Sequence, residues 1–292
     1  MQHRISRWVG ERDGLRVGHC ATCEFAHLDP LPDEGELATF YRDEFWQSEK
    51  PGAVETIDAQ LDWWRRVWDL WLTEARRVSF GGATTLLDLG AGHGHFVRHA
   101  TDRGWDASGV EPNDVARRYA VETLGVRMIE VGEAGLPADV GADVVSATWV
   151  LEHLHDPEGF LGDLAFRADV LVLAAPNEFT EVQIAADKVA AVRNWWVHRT
   201  HVNYFTKDSL KSLFRRTGWI PVTWYGTFPM ETFISAGQDY IGTAGLGPQL
   251  HQQVREDELD FTDEQFRKDY IDRGKSGTGR DLIAVCKSEW VR

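Results

Sequence analysis

The sequence predicts an α/β fold in which a doubly wound, mainly parallel sheet carries helices on both faces. The first observation is the regular alternation of short apolar runs with amphipathic stretches from residue 84 onward, because strands that alternate with helices pair in parallel. The second is a glycine-rich turn at 90–94 between the first of these strands and the next helix. The third is a hydrophobic content of 43%, which supplies a large core and argues against wholesale disorder.

The elements follow in order along the alternating region. Strands are predicted where apolar runs lie between turn residues, at 84–89, 105–110, 126–131, 143–148, 170–175, 219–225 and 282–287. Helices are predicted where apolar residues recur at spacings of three and four, from the glycine turn to about residue 103 and at 113–124, 157–167 and 206–217. Two long segments, 177–205 and 227–280, interrupt this alternation after the fifth strand. We expect both insertions to be lids over the carboxyl edge of the sheet and to close over a bound substrate.

The first 82 residues differ from the rest. Residues 1–50 form a predicted N-terminal extension, and residues 51–82 form a helical segment. Within that segment Leu61, Trp64, Trp68 and Leu72 recur at helical spacing. The remainder, 83–292, is the predicted main domain with its two insertions. The tryptophan-rich helix is a candidate contact surface for a homodimer.

Charge and composition exclude several classes of function. Lys and Arg total 31 against 46 for Asp and Glu, which leaves a net charge of −15. Such a surface repels nucleic-acid phosphates and anionic membranes. No apolar run reaches the ~20 residues of a membrane span, the first residues lack the apolar centre of a signal peptide, and three cysteines cannot build a disulfide scaffold. We therefore expect a cytoplasmic protein that binds neither nucleic acid nor membrane.

The glycine-rich turn is typical of a cofactor site, since it lets the backbone approach a ligand at the carboxyl edge of the sheet. A nicotinamide dinucleotide is one alternative, because Glu111 lies near the ~20-residue spacing of that fingerprint. However, the turn reads G-x-G-x-G and places His95 where the third glycine of the fingerprint belongs. Asp88 also precedes the glycines, where a carboxylate disfavours a pyrophosphate. A cationic or hydroxyl-bearing ligand suits it better.

Three ordered motifs resemble those of class I S-adenosylmethionine-dependent methyltransferases. They read Leu-Asp-Leu-Gly-Ala-Gly-His-Gly at 87–94, Gly-Val-Glu-Pro at 109–112 and Val-Leu-Glu-His-Leu-His-Asp-Pro at 150–157. Within that superfamily the chain is similar to the group of ubiquinone-biosynthesis O-methyltransferases and deoxysugar C-methyltransferases, over about 84–225 and the last strand. The resemblance implies a Rossmann-like, seven-stranded, mostly parallel sheet whose last strand is antiparallel. It also implies S-adenosylmethionine as cofactor and a small-molecule methyl acceptor.

The resemblance assigns contacts to the cofactor. Glu111 would accept hydrogen bonds from the ribose hydroxyls, and Asp88 would hold the cationic amino group directly or through water. The other predicted contacts follow the strands: Gly90, Ala91 and Gly92 in the glycine turn, Pro112 beside Glu111, Glu133 and Ala134 at the adenine, and Thr148 and Trp149 beneath the methionine part.

Four side chains are candidates for the proton transfer that a hydroxyl or carbon-acid acceptor requires. His153 leads, because in the resembling enzymes a Glu-His pair borders cofactor and acceptor; its alternative is a structural role in that loop. His198, His201 and Tyr204 are expected to face the acceptor, the alternative being a packed polar connector. We favour O- or N-methylation, in natural-product or sugar biosynthesis. The alternatives are a non-catalytic S-adenosylmethionine-binding or partner-docking protein and, less favoured, a nicotinamide-dependent oxidoreductase.

Cys20 and Cys23 form half of a metal site. Some of the resembling sugar methyltransferases carry an N-terminal zinc module with two such pairs, but this chain has one pair, which leaves His3, His19 and His27 as the remaining candidate ligands. A structural zinc site needs all four positions filled. The sequence therefore favours a degenerate, metal-free remnant and predicts no metal site.

Overall fold

A seven-stranded sheet forms the centre of the computed structural model, which describes residues 3–79, 82–131, 136–137 and 140–290. With strands numbered along the chain, their order is β6 (Arg127–Met128), β5 (Asp106–Val110), β4 (Thr85–Leu89), β7 (Ala142–Thr148), β8 (Ala168–Pro176), β11 (Asp281–Ser288) and β10 (Trp219–Gly226). β11 is antiparallel to both neighbours, and the other neighbouring pairs are parallel. The predicted doubly wound, mostly parallel sheet with an antiparallel last strand is confirmed.

Both faces of this sheet are buried. On β4, Leu86 packs into one hydrophobic core, whereas Leu87 and Leu89 point into the other, as the two-residue period of a strand requires. The first core is closed by α4 (Leu61–Val78) and α5 (His95–Asp102), the second by α7 (Pro157–Leu164) and α9 (Lys207–Arg216). Helix α6 (Asp114–Glu122) connects β5 to β6. β6 is shorter than the predicted 126–131, since only Arg127 and Met128 pair with β5.

The tryptophan-rich segment forms two helices rather than one. α3 (Ala53–Ala59) ends before Gln60, and α4 begins after it. The side chains of Trp63, Trp68 and Trp71 are at most 6% exposed and pack into the core. These three tryptophans therefore do not form an exposed contact surface, and the homodimer remains a prediction.

The N-terminal residues form most of a second, four-stranded sheet. The sequence analysis did not predict this sheet. Its order is β1 (Ile5–Arg12), β2 (Leu15–Cys20), β3 (Ala26–Leu28) and β9 (Asn203–Tyr204). All neighbours are antiparallel. The fourth strand belongs to the first insertion, so the N-terminal residues and that insertion fold together. Along the chain, α1 (Glu34–Asp43) and α2 (Phe45–Ser48) follow β3 and precede α3.

The two insertions meet at a buried ion-pair cluster. The first contains α8 (Glu181–Asp187) and β9, and the second contains α10 (Glu231–Ser235), α11 (Leu246–Leu259) and α12 (Asp263–Ser276). Arg280 pairs with Glu178 at 3.3 Å and with Glu231 at 3.2 Å, and both carboxylates are at most 2% exposed. Arg280, the last residue of the second insertion, thus contacts Glu178 at the start of the first insertion and Glu231 near the start of the second. In the described part of the chain, no helix combines the length and apolar character that crossing a membrane requires.

Candidate active site

The glycine-rich loop after β4 runs close to two other loops at the carboxyl edge of the sheet. Gly90 and Gly92 have φ values of +75° and +53°, which glycine adopts without strain. The backbone N–H groups of Gly90 and Ala91 both donate to the Val110 carbonyl at 2.9 Å, which joins the loop to the end of β5. A Cβ atom on Gly90 would lie only 2.6 Å from Val150 Cγ2. The loops that follow β4, β5 and β7 are therefore in direct contact.

Glu111 is held in place by the backbone at the end of β5. Its side chain is buried, with Oε2 accepting from the Gly92 N–H at 2.8 Å and Oε1 accepting from the Asn113 N–H at 3.0 Å. Burial raises its pKa, although these hydrogen bonds oppose the rise. Pro112, which follows it, is exposed. A carboxylate positioned beside a glycine turn in this way can accept hydrogen bonds from a diol.

Trp46 covers this side of the site, and the sequence analysis did not single it out. Its Nε1 lies 3.5 Å from Glu111 Oε1, and its ring packs against His93 with centroids 4.6 Å apart. A Cβ atom on Gly92 would lie 3.0 Å from the Trp46 ring. One sequence signal was available: a short stretch that is unusually rich in aromatic residues, namely Phe40, Tyr41, Phe45 and Trp46.

Asp88 is a buried carboxyl group within β4, only 2% exposed. Its Oδ1 accepts a hydrogen bond from Ser146 Oγ at 2.7 Å. Burial raises the pKa of Asp88 to about 7 despite this hydrogen bond, and the charge of Glu111 adds to the rise. A cation at this position would favour the carboxylate form. The environment of Asp88 therefore fits the predicted role of receiving a positively charged amino group.

A second group of titratable side chains follows β7. This group consists of Glu152, His153 and His201. Each offers one nitrogen or carboxylate oxygen, and the three atoms lie within 4.8 Å of one another. His153 Nε2 is 3.9 Å from Glu152 Oε1, and the two imidazole rings are 5.1 Å apart. Glu152 Oε2 is buried without a hydrogen-bond partner among the described residues. The structure thus joins the sheet edge, which carries His153, to the first insertion, which carries His201.

Burial favours the uncharged form of all three groups in this cluster. Burial raises the pKa of Glu152 to about 8, lowers that of His153 to about 4 and lowers that of His201 well below its usual value. His153 Nδ1 lies 2.8 Å from the Thr200 carbonyl oxygen. Because a carbonyl only accepts hydrogen bonds, Nδ1 carries the proton and Nε2 keeps a free lone pair. Tyr41 Oη, 2.6 Å from the same Nδ1 and 2.9 Å from the same carbonyl, completes the arrangement.

The other two candidate residues of the first insertion have different surroundings. His198 lies beside His201, with ring centroids 5.7 Å apart, and its Nε2 is 3.6 Å from the Glu49 carboxylate. Tyr204 is 1% exposed and packs against Trp196. Its hydroxyl accepts from the His198 N–H at 3.0 Å and donates to the His198 carbonyl at 3.2 Å. The Tyr204 hydroxyl therefore holds the backbone of the insertion instead of facing the cluster.

Two of the remaining predicted cofactor contacts, Thr148 and Trp149, lie at the end of β7 and directly after it. Thr148 ends β7 and is half-buried. Trp149 has a φ of +54°, and its Nε1 donates to Asp281 Oδ1 at 3.1 Å. Glu133 and Ala134, predicted at the adenine, lie outside the described residues.

Comparison with known proteins identifies the family. Residues 36–223 match the methyltransferase domain family. The chain belongs to this family. The predicted methyltransferase class is therefore confirmed, and the family match does not support the nicotinamide alternative. The family match begins in α1, within the predicted N-terminal extension.

Relatives and solved structures agree with this assignment. An uncharacterized methyltransferase of Mycobacterium sp. (strain KMS) is 37% identical over 92 residues, which are 30% of this chain and 35% of that relative. The chain thus matches about a third of the length of this curated relative. The plantazolicin methyltransferase BpumL in complex with SAH is 14% identical, with a TM-score of 0.52 over 86% of this chain and 93% of that chain. BamL, with a desmethylPZN analog and SAH, is 12% identical, with a TM-score of 0.51 over 86% of this chain and 94% of that chain. These structures share the fold.

The affinity of this methyltransferase for S-adenosylhomocysteine is expected to rise with pH through the pKa of Asp88. In the predicted role of Asp88, the cationic amino group of the ligand would favour the carboxylate, so a proton would leave Asp88 on binding when the pH is below about 7. Binding is then expected to be about tenfold weaker at pH 6 than at pH 8. Titration calorimetry at both values measures the difference.

Two variants test this assignment. Asp88→Asn is expected to remove the pH dependence. Ser146→Ala, which removes the hydrogen bond that lowers the pKa, is expected to move the midpoint to higher pH. A pH dependence that Asp88→Asn leaves unchanged would contradict the role of Asp88.

Proposed function

We propose that this methyltransferase moves the methyl group of S-adenosylmethionine to an oxygen or nitrogen atom of a small molecule bound beside Glu152, His153 and His201. One observation carries the proposal. A histidine with a free, uncharged Nε2 lies in the loop whose Val150 contacts the glycine-rich loop. Cofactor loop and candidate base are therefore neighbours, as an in-line transfer requires.

The cofactor side is supported by three features of the chain. Glu111 would accept hydrogen bonds from the ribose hydroxyls, the glycine-rich loop would approach the cofactor with its backbone, and Asp88 would neutralise the amino group. Trp46, at 3.5 Å from the Glu111 carboxylate, would shield this contact from water. When bound, S-adenosylmethionine supplies an electrophilic methyl group on a sulfonium leaving group. The protein contributes orientation, which is worth up to ~7–11 kcal/mol in favourable cases.

The acceptor side supplies a place for a proton. His153 Nε2 would take the proton that the acceptor atom loses as it becomes methylated. His201 and His198 lie next along the row, and His198 Nε2 is 3.6 Å from the exposed Glu49 carboxylate. The three neighbouring histidines, His153, His201 and His198, would offer the proton a route to solvent. Tyr41 and the Thr200 carbonyl keep the His153 ring in the tautomer that accepts it.

The surroundings favour an acceptor without negative charge at its reacting end. Burial raises the pKa of Glu152, and the carboxyl groups of Asp281 and Glu178 add to the rise. Nearby Arg280 already pairs with Glu178 and Glu231. An anionic group next to Glu152 would be repelled by these carboxyl groups, and besides Arg280 the cation whose charge acts on His153 and His201 is Lys50. A neutral hydroxyl or an amine meets no such penalty.

An activity screen with labelled methyl donor tests the proposal. Alcohols, phenols and amines are offered at equal concentration, and incorporation is measured for the wild type and for His153→Asn. Transfer to at least one of them, lost in the variant, would support the proposed site. Cofactor binding by calorimetry with no transfer to any acceptor class would favour the non-catalytic alternative.

Tyr41→Phe is expected to lower turnover roughly fivefold, since one hydrogen bond worth about 1 kcal/mol is lost. Tyr41 is a positioning residue, because its hydroxyl contacts His153 Nδ1 and the Thr200 carbonyl. Its loss should change kcat and the pH dependence of turnover but not the affinity for S-adenosylhomocysteine. Phe40→Leu, next to it in α1, is the control. Equal losses in both variants would indicate a packing effect only.

A further inference from the structure

We propose that His3, Cys20, Cys23 and His27 form a structural zinc site in the N-terminal sheet. One ligand atom from each of the four lies within 4.8 Å of the others. Cys23 Sγ is 3.2 Å from His3 Nδ1, and Cys20 Sγ is 4.0 Å from the same nitrogen. Folding therefore fills the two positions that the single cysteine pair leaves open, and it does so with histidines.

His27 has the surroundings of a metal ligand. Its side chain is 2% exposed, and Nδ1 lies 2.8 Å from the Leu28 carbonyl oxygen. The proton must then be on Nδ1, which leaves the lone pair of Nε2 free. Nε2 is buried and has no hydrogen-bond partner in the described part of the chain. Metal-binding histidines characteristically donate their other ring N–H to a backbone carbonyl, whereas a buried imidazole nitrogen without any partner is costly.

The cysteines complete the set. Cys20 is fully buried, Cys23 is 6% exposed, and both are free thiols. The Cys23 N–H points at Cys20 Sγ, 3.5 Å away, and would stabilise a thiolate there. His19 precedes Cys20 in β2, is only half-buried and is not part of the cluster. The fold therefore selects two of the three histidines near the pair.

The ligand chemistry favours zinc. Two thiolates and two imidazoles are the donors of tetrahedral Cys₂His₂ sites. Four protein ligands leave no position for a substrate, so the role is structural. Two thiolates also balance the charge of Zn²⁺, which lets the ion be buried.

The site would stiffen the acceptor side of the enzyme. His27 is in β3, which pairs with Asn203 of β9. The next residue, Leu28, donates its N–H to the Val202 carbonyl at 3.0 Å, and the Val202 N–H donates to the Glu152 carbonyl at 2.8 Å. Backbone hydrogen bonds thus link the proposed zinc site to Val202, the neighbour of His201, and through Val202 to Glu152.

The test is the metal content of the full chain, purified under reducing conditions without an affinity tag. Inductively coupled plasma mass spectrometry is expected to find one zinc per chain. The zinc should be lost from Cys20→Ser, Cys23→Ser and His27→Gln and bound more weakly by His3→Gln, whose side chain is exposed. His19→Gln and Cys286→Ala are matched controls that should keep it. Cobalt substitution should give the absorption bands of a tetrahedral thiolate site.

Calorimetry with S-adenosylhomocysteine reports whether each variant is folded. The zinc-free variants should keep the wild-type affinity for this ligand but unfold at a lower temperature. The proposal is overturned if folded wild-type protein takes up no zinc from a zinc buffer. It is equally overturned if the metal survives Cys20→Ser but is lost in His201→Asn, which would place it in the Glu152 cluster. Neither result depends on which acceptor the enzyme methylates.

Discussion

Replacing His153 with Asn is expected to lower turnover about 10²-fold, the lower end of the contribution of a general base, because burial lowers the pKa of His153. Asn can keep a hydrogen bond to the Thr200 carbonyl but offers no basic nitrogen where His153 presents Nε2. The affinity for S-adenosylhomocysteine should stay within about twofold, because His153 would contact only the acceptor side. Single-turnover rates with labelled donor and titration calorimetry measure the two quantities.

His155→Asn is the matched control for this prediction. His155 belongs to the same loop, but its Nε2 contacts the Pro32 carbonyl at 2.7 Å and takes no part in the cluster. His201→Asn is informative as well, since the two rings are neighbours. If turnover falls in His201→Asn but not in His153→Asn, the base belongs to the insertion. If both variants retain full turnover, proton removal is not limiting, and an amine acceptor that is already neutral becomes the better interpretation.

Replacing Glu111 with Ala is expected to weaken cofactor binding about 10- to 150-fold, which corresponds to ~1.5–3 kcal/mol for hydrogen bonds to a charged group. The substitution would remove the proposed hydrogen-bond acceptor of the two ribose hydroxyls, and it leaves the Gly92 and Asn113 N–H groups without the Glu111 carboxylate. Calorimetry with S-adenosylhomocysteine measures the affinity.

Two further variants separate recognition from folding. Glu111→Gln keeps an oxygen for one backbone N–H, so it should fold like the wild type but still bind the cofactor more weakly. Glu122→Ala removes an exposed carboxylate from α6 and should change neither property. Unchanged affinity in a folded Glu111→Ala variant would show that another group binds the ribose.

Local sequence was sufficient for the central sheet and for the glycine-rich loop at its edge. A strand that ends in a glycine turn is recognisable from consecutive residues, because both the strand period and the positive φ of Gly90 and Gly92 are local properties. The position of Glu111 at the sheet edge is also a local property, because this residue comes directly after β5. The parallel order of strands and helices then brings these strand ends to one edge.

The tertiary structure alone decided the cluster of Glu152, His153 and His201 and the N-terminal cluster. Tyr41 meets His153 across 112 positions of the chain, and β3 meets β9 of the first insertion. His3 and His27 join the cysteine pair because β1, β2 and β3 fold into one sheet. Tyr204 likewise looked like a base from its neighbours in sequence, but its hydroxyl is bonded to the His198 backbone. The physical reason is the same in each case. Local propensity specifies strands and turns, whereas the partner of a buried polar group depends on contacts between segments that are distant along the chain.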